Sequence, residues 1–229
     1  MHVETELSEI GKEFWSYLEA LCHKAKELGA SEAVAILASD VVVDERVRLK
    51  CLSPRCPFYG ICLVCPPNVM PIPEFKRILG NYHGGILIKA EAVLFNSPGE
   101  VAGQNGLAEL QETWRSTVNG ENQSSTPTTD YMQALRDSQI KLYETISQIE
   151  SICFAEGYRF TAGLGVGGCP FCNECVGPQS GLPCRYPFKA RPSMDALGID
   201  VVTTAKRVGI PVDFTPNGAR SWVALILVD

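Results

Sequence analysis

Apolar residues near the start of the chain recur at three- and four-residue steps. Phe14, Leu18, Leu21, Ala25 and Leu28 share one face of a helix predicted over Leu7–Leu28, and Gly29 supplies its stop. The pattern then shortens. Ala33–Leu37, Val41–Val43 and Val47–Leu49 are rich in β-branched residues and predict strands, in the form of one long bent hairpin. Pro71 and Pro73 lead into a short helix over Glu74–Leu79, and Gly84-Gly85 opens an apolar run, Ile86–Phe95, with the character of a central strand.

Residues Asn96–Asp130 are polar, with Gly, Asn, Ser and Thr concentrated in Asn119–Asp130. They predict a surface excursion, with part of Leu107–Trp114 helical. A long helix follows over Tyr131–Glu156, carrying Leu135, Leu142, Ile146, Ile149 and Cys153 on one face. Tyr158–Ala162 predicts a strand, Ser193 or Asp200 can cap a final helix, and Trp222–Val228 closes the chain as a buried strand. Strands and helices alternate loosely. The expected fold is α+β: a single domain over residues 1–229, with one sheet of about four or five strands covered by helices and two cysteine-rich loops meeting at one sheet edge.

Composition changes this picture in two ways. The net charge of −6 gives no support to nucleic-acid binding. The acidic start lacks the basic and apolar regions of an export signal, and the longest clean apolar run, Trp222–Val228, is strand-sized. A cytoplasmic protein with no membrane association is expected. In a reducing compartment, ten cysteines are not read as a disulfide framework.

Eight of the ten fall into two groups. The second is the sharper: Cys169-x2-Cys172-x2-Cys175, then Cys184. Three thiolates at successive three-residue steps with a distant fourth suit a loop wrapped around an iron–sulfur cubane. The first is Cys51-x4-Cys56-x5-Cys62-x2-Cys65, followed by Pro66-Pro67. Four thiolates so close in sequence can close a site alone, and the prolines lower the entropy cost of gathering them. All eight are candidate ligands, for two [4Fe-4S] clusters or, in the competing reading, for zinc, whose four-cysteine sites draw on separated C-x2-C knuckles. Cys22 and Cys153 lie on apolar helix faces and read as core residues.

Charge adds to the metal reading. No Asp or Glu lies between Arg46 and Pro73, where Arg48, Lys50 and Arg55 occur, nor between Val176 and Met194, where Arg185, Lys189 and Arg191 occur. Cations near an anionic thiolate-ligated cluster stabilise it, and they would also attract an acidic redox partner protein or a small anionic substrate. The run Gly163-Leu164-Gly165-Val166-Gly167-Gly168 formally contains G-x-G-x-x-G but opens no helix, so it does not read as a dinucleotide site. Its glycines instead suggest close approach of backbone N–H groups to cluster sulfur. His2, His23 and His83 pair with no nucleophile, and Tyr59 and Tyr186 are candidates to shield the cysteines.

The combination Cys51…Cys56-Pro57-Phe58-Tyr59-Gly60…Cys65-Pro66-Pro67 with Cys169-x2-Cys172-x2-Cys175…Cys184-Arg185…Arg191-Pro192-Ser193-Met194-Asp195-Ala196-Leu197-Gly198-Ile199-Asp200-Val201 resembles the DUF2284 family of predicted metal-binding proteins. The resemblance implies a small cysteine-rich metalloprotein of a kind typical of anaerobic bacteria and archaea. It matches Cys51, Cys56 and Cys65 to the family pattern, whereas Cys62 is an addition. With Cys62 as ligand the first cluster is a closed electron relay. Without it, one iron is open to an outside ligand. Three functions therefore stay open: a two-cluster electron-transfer protein or redox subunit, an enzyme binding substrate at an open iron, and a zinc-stabilised binding module.

Overall fold

The structure is a computed structural model that describes residues 9–92, 127–212 and 221–229. Four strands form one open sheet in the order β1-β2-β4-β3, with every neighbouring pair antiparallel. They are β1 (Glu32–Leu37), β2 (Gly84–Glu91), β3 (Ala162–Leu164) and β4 (Ser221–Val228). The helices are α1 (Glu9–Glu27), α2 (Leu49–Leu52), α3 (Ile72–Leu79), α4 (Pro127–Ala155) and α5 (Val201–Arg207). The fold is α+β. Among the described residues no helix is long and apolar enough to cross a membrane.

Both faces of the sheet are covered, which is why β2 and β4 read as continuous apolar runs instead of alternating ones. On one face, Ile86, Ile88, Ala224, Ile226 and Val228 pack against Leu18, Leu21 and Ala25 of α1 and Leu142, Ile146 and Ile149 of α4. Cys22 and Cys153 are buried in this layer, and burial pushes the Cys22 thiol up to about 11, in keeping with core roles for both. On the other face, Leu87, Leu225 and Leu227 meet Phe75 and Leu79 of α3 together with Met194, Leu197, Ile199 and Ala205. The register opposite Gly84 and Gly85 is Val228 and Leu227.

The expected hairpin over Val41–Val43 and Val47–Leu49 does not form. Asp44 accepts from the Arg46 backbone N–H at 2.8 Å and caps a 3-10 turn over Glu45–Arg48, which runs into α2. The valines still bury apolar surface, because Val41 and Val47 point inwards and Val43 bridges Ile199. Their β-branching matched a strand, but local capping won. Of the strand expected over Tyr158–Ala162 only the last residue belongs to β3, since a turn carrying Thr161 Oγ1 onto the Tyr158 carbonyl occupies the rest. The expected surface excursion lies outside the described residues, apart from its last four positions, which begin α4.

Asp200, one of the two expected caps, accepts from Thr203 N at 3.1 Å and Thr203 Oγ1 at 2.7 Å at the start of α5. The Thr203 hydroxyl holds its carboxyl below the ordinary carboxylate value. A depressed folded value means stabilisation that is present above the unfolded value, about 3.9, and lost as pH falls through the folded one. Asp200→Ala is expected to cost about 1 kcal/mol at pH 7. Denaturant titrations should show the gap between variant and parent closing in acid, and a gap that persists there would assign the loss to something other than the cap.

Candidate metal centre

The second cysteine loop leaves edge strand β3 and is held by one face of α4. Gln139 Nε2 donates to the carbonyls of Val166 at 2.7 Å and Gly168 at 2.6 Å. Arg136 donates through Nε to the Pro170 carbonyl at 2.8 Å and through Nη1 to Asn173 Oδ1 at 2.9 Å. The Tyr143 hydroxyl donates to the Val166 carbonyl at 3.1 Å, and its ring meets Phe171 edge-on, which in turn lies against Tyr186. Steps of three and four place Arg136, Gln139 and Tyr143 on one helix face.

The glycine run before Cys169 is explained by this packing. A Cβ at Gly163 would lie 2.2 Å from Ile146 Cγ2, at Gly165 2.3 Å from Tyr143, and at Gly168 2.6 Å from the Phe58 ring. The N–H groups of Gly163 and Gly165 are engaged by Glu150 Oε1 and the Pro192 carbonyl. At those two positions the glycines admit α4 side chains rather than direct N–H groups at sulfur, which corrects the sequence expectation.

The first loop starts on α2, which carries Cys51, and not directly after a strand. Cys56 N donates to the Cys51 carbonyl at 3.0 Å, Cys62 N to the Phe58 carbonyl at 3.1 Å, and Cys65 N to the Cys62 carbonyl at 3.1 Å. Asn68 Nδ2 also donates to the Cys62 carbonyl, at 3.0 Å, which fixes the Cys62–Cys65 knuckle. The guanidinium of Arg55 sits 5.3 Å over the Tyr59 ring.

Phe58 against Gly168 is where the loops meet, and Cys62 and Cys169 line one cavity there. Cys169 and Cys65 beside it pull the Cys62 thiol well down, while proximity to Cys62, followed by burial, pushes Cys65 and Cys169 up. Cys51 and Cys56 lie close enough to add repulsion at Cys65, and burial raises the Cys51 thiol while Arg48 opposes it.

A cavity of about 370 Å³ opens beside this contact. Five of the predicted cysteines line it, Cys62, Cys169, Cys172, Cys175 and Cys184, whereas Cys51, Cys56 and Cys65 do not. Arg136, Arg185 and Tyr186 are also part of its wall. No group of three or more His, Cys, Asp or Glu side chains among the described residues is drawn together closely enough to hold a single metal ion.

Several of the cations read from the sequence are already matched. Lys50 pairs with Asp195 at 3.1 Å, and Arg191 with Glu150 at 2.5 Å. Arg185 donates to the Glu174 carbonyl at 2.7 Å. Arg48 differs: its Nε is buried with no hydrogen-bond partner beside Cys51. An orphaned guanidinium N–H next to a cysteine group fits an anionic, thiolate-bound centre there.

Arg136, Gln139, Tyr143, Glu150 and Asn68 are site-building residues that the cysteine spacing did not reveal. A signal for the first three existed, as polar side chains at helical spacing beside the apolar stripe of α4. The family model described as DUF2284, predicted metal-binding protein, matches residues 34–228. The chain belongs to that family. No curated protein and no solved structure matches it.

Proposed function

We propose that this DUF2284 protein carries iron–sulfur clusters, two [4Fe-4S] centres on its two cysteine groups, and works in electron transfer or as a redox subunit of a partner enzyme. The observation that carries the reading is the cavity walled by five cysteines. At about 370 Å³ it is far larger than the share of one water in the liquid, about 30 Å³, and so has room for a polynuclear group where a single zinc would need a tight tetrahedron. The thiol donor set and the unmatched Arg48 Nε fit such a group. When bound, the clusters would supply one-electron exchange.

The chain's own residues would do three things. Cys51, Cys56, Cys62 and Cys65, with Cys169, Cys172, Cys175 and Cys184, would hold the metal. Arg136 and Gln139 would keep the second loop in place from α4. Tyr143, Phe171 and Tyr186 would screen that loop from water. Ile61 on the cavity wall is exposed, as are Leu182 and Phe188 in the segment that carries Arg185 and Lys189. Exposed apolar side chains beside cations in sequence support docking of an acidic partner protein.

Protein purified without oxygen should be brown and contain iron and acid-labile sulfide in equal amounts. A colourless protein holding zinc and no sulfide would overturn the proposal.

A further inference from the structure

Four cations lie between Arg46 and Pro73, and they differ in what they hold. Arg46 grips the Asp44 carboxylate through Nε at 3.0 Å and Nη2 at 2.6 Å. Lys50 pairs with Asp195 at 3.1 Å, and Arg55 lies over the Tyr59 ring. Arg48 has no such partner. Its Nε is buried and makes no hydrogen bond to any described residue. A guanidinium nitrogen donates and cannot accept, and it keeps its charge at any working pH, so a buried Nε–H with nothing to receive it is costly.

The backbone sets where this side chain goes. Arg48 ends the 3-10 turn over Glu45–Arg48 with helical angles, φ −61° and ψ −22°, that carry straight on into α2. Cys51 follows three positions later, so the two residues share one face of a continuous helical run. No Asp or Glu of the loop itself can take the bond, because none occurs between Arg46 and Pro73. Asp195, which reaches the loop from a distant segment, is held by Lys50. Arg48 and Cys51 are both absent from the wall of the cavity that the second cysteine group lines.

We propose that Arg48 donates its Nε–H to the metal centre held by the first cysteine group, beside Cys51, and holds the reduction potential of that centre up. A thiolate-bound cluster is anionic and gains one further negative charge when it takes an electron. A buried cation with a hydrogen bond to offer therefore favours the reduced form. Lysine is a poor substitute, since its ammonium is a hydrated point charge on a flexible stem with no donor at the Nε position. The inference rests on the iron–sulfur reading above.

The test is a redox titration followed by electron paramagnetic resonance on anaerobically prepared full-length protein, with iron and sulfide measured first. Material without iron or sulfide ends the iron–sulfur reading before Arg48 enters. In material with two clusters, Cys56→Ala identifies the first-group signal by altering it, and Cys172→Ala identifies the second. Arg48→Gln should then shift the first midpoint potential downward and leave the second in place. An unmoved first potential, or an equal shift in both, would overturn the proposal. Arg48→Lys should fall between parent and Arg48→Gln, and a lysine variant at the parent's potential would show the Nε–H bond to be unnecessary.

The parent decides if the Arg48 variants fail to fold. With its arginines labelled with nitrogen-15 at Nε, the reduced protein should show a nitrogen-15 hyperfine coupling on the first-group signal. A first-group signal without that coupling rules out the bond.

Discussion

Replacing Gly165 by alanine is expected to destabilise the protein by about 3 kcal/mol and to lower its metal content with it. The added Cβ would sit 2.3 Å from both Cζ and Oη of Tyr143. Overpacking a well-filled core costs roughly 1–3 kcal/mol, and the upper end applies when the obstacle cannot turn aside. Tyr143 cannot, because its ring is 1% exposed and its hydroxyl is bonded to the Val166 carbonyl. Nor can Gly165, whose N–H donates to Pro192 and whose carbonyl accepts from Met194. Either the ring or the loop must move, and the loop carries Cys169.

A double-mutant cycle separates this clash from other causes. Tyr143→Ala alone should cost about 3–5 kcal/mol through the lost ring. In the combined variant the new methyl enters space the ring has left, so the total should fall clearly below the sum of the two single losses. Chemical denaturation of the four proteins measures it. Strict additivity would show that Gly165 is needed for its backbone and not for the approach of Tyr143.

Glu150→Ala should be comparably severe, at about 3–5 kcal/mol. Glu150 and Arg191 are mostly buried, with side chains 16% and 17% exposed, and the carboxylate takes both Nε at 3.2 Å and Nη2 at 2.5 Å. The same carboxylate accepts from Gly163 N at 2.7 Å in β3. Its removal strands a buried guanidinium and a buried N–H together, which is the expensive way to break an ion pair. Arg191 also reaches the carbonyls of Phe188 and Ala190, so the strand edge and the segment following Cys184 are tied to α4 through one side chain. Glu150→Gln should be milder, since the amide oxygen can still accept from Gly163. Thermal melts of the two variants check the order, and equal losses would mean that the charge alone matters.

The parts of the fold that could be read from sequence are those where one pattern meets no rival. The stripe on α1, the stripe on α4 and the apolar runs of β2 and β4 all express burial, and burial is what residue type records. Val41–Leu49 shows the limit: its valines are buried as their type suggests, but Asp44 diverts the backbone into a 3-10 turn. The two cysteine groups stood out in the sequence as candidates, because thiols in such density have few other uses. Their arrangement in space did not. Cys62 sits six residues from Cys56 and three from Cys65 in sequence, yet it lines the cavity of Cys169 because Gly168 admits Phe58, a contact between distant segments that no local spacing encodes.

The meeting of Cys62 and Cys169 bears on the unfolded chain as much as on the folded one. The two residues are 169 − 62 = 107 positions apart. Any metal centre bonded to both sulfurs is a cross-link, closing a loop of that length in whatever denatured chain retains it. By the chain-entropy scaling used for disulfides, a tie across about 100 residues removes about 4.7 kcal/mol of denatured-state freedom. Such a centre would give the chain a means of obtaining, without oxidation, what secreted proteins obtain from disulfides. It also makes the tie removable, since a chelator can undo it without any change in redox state.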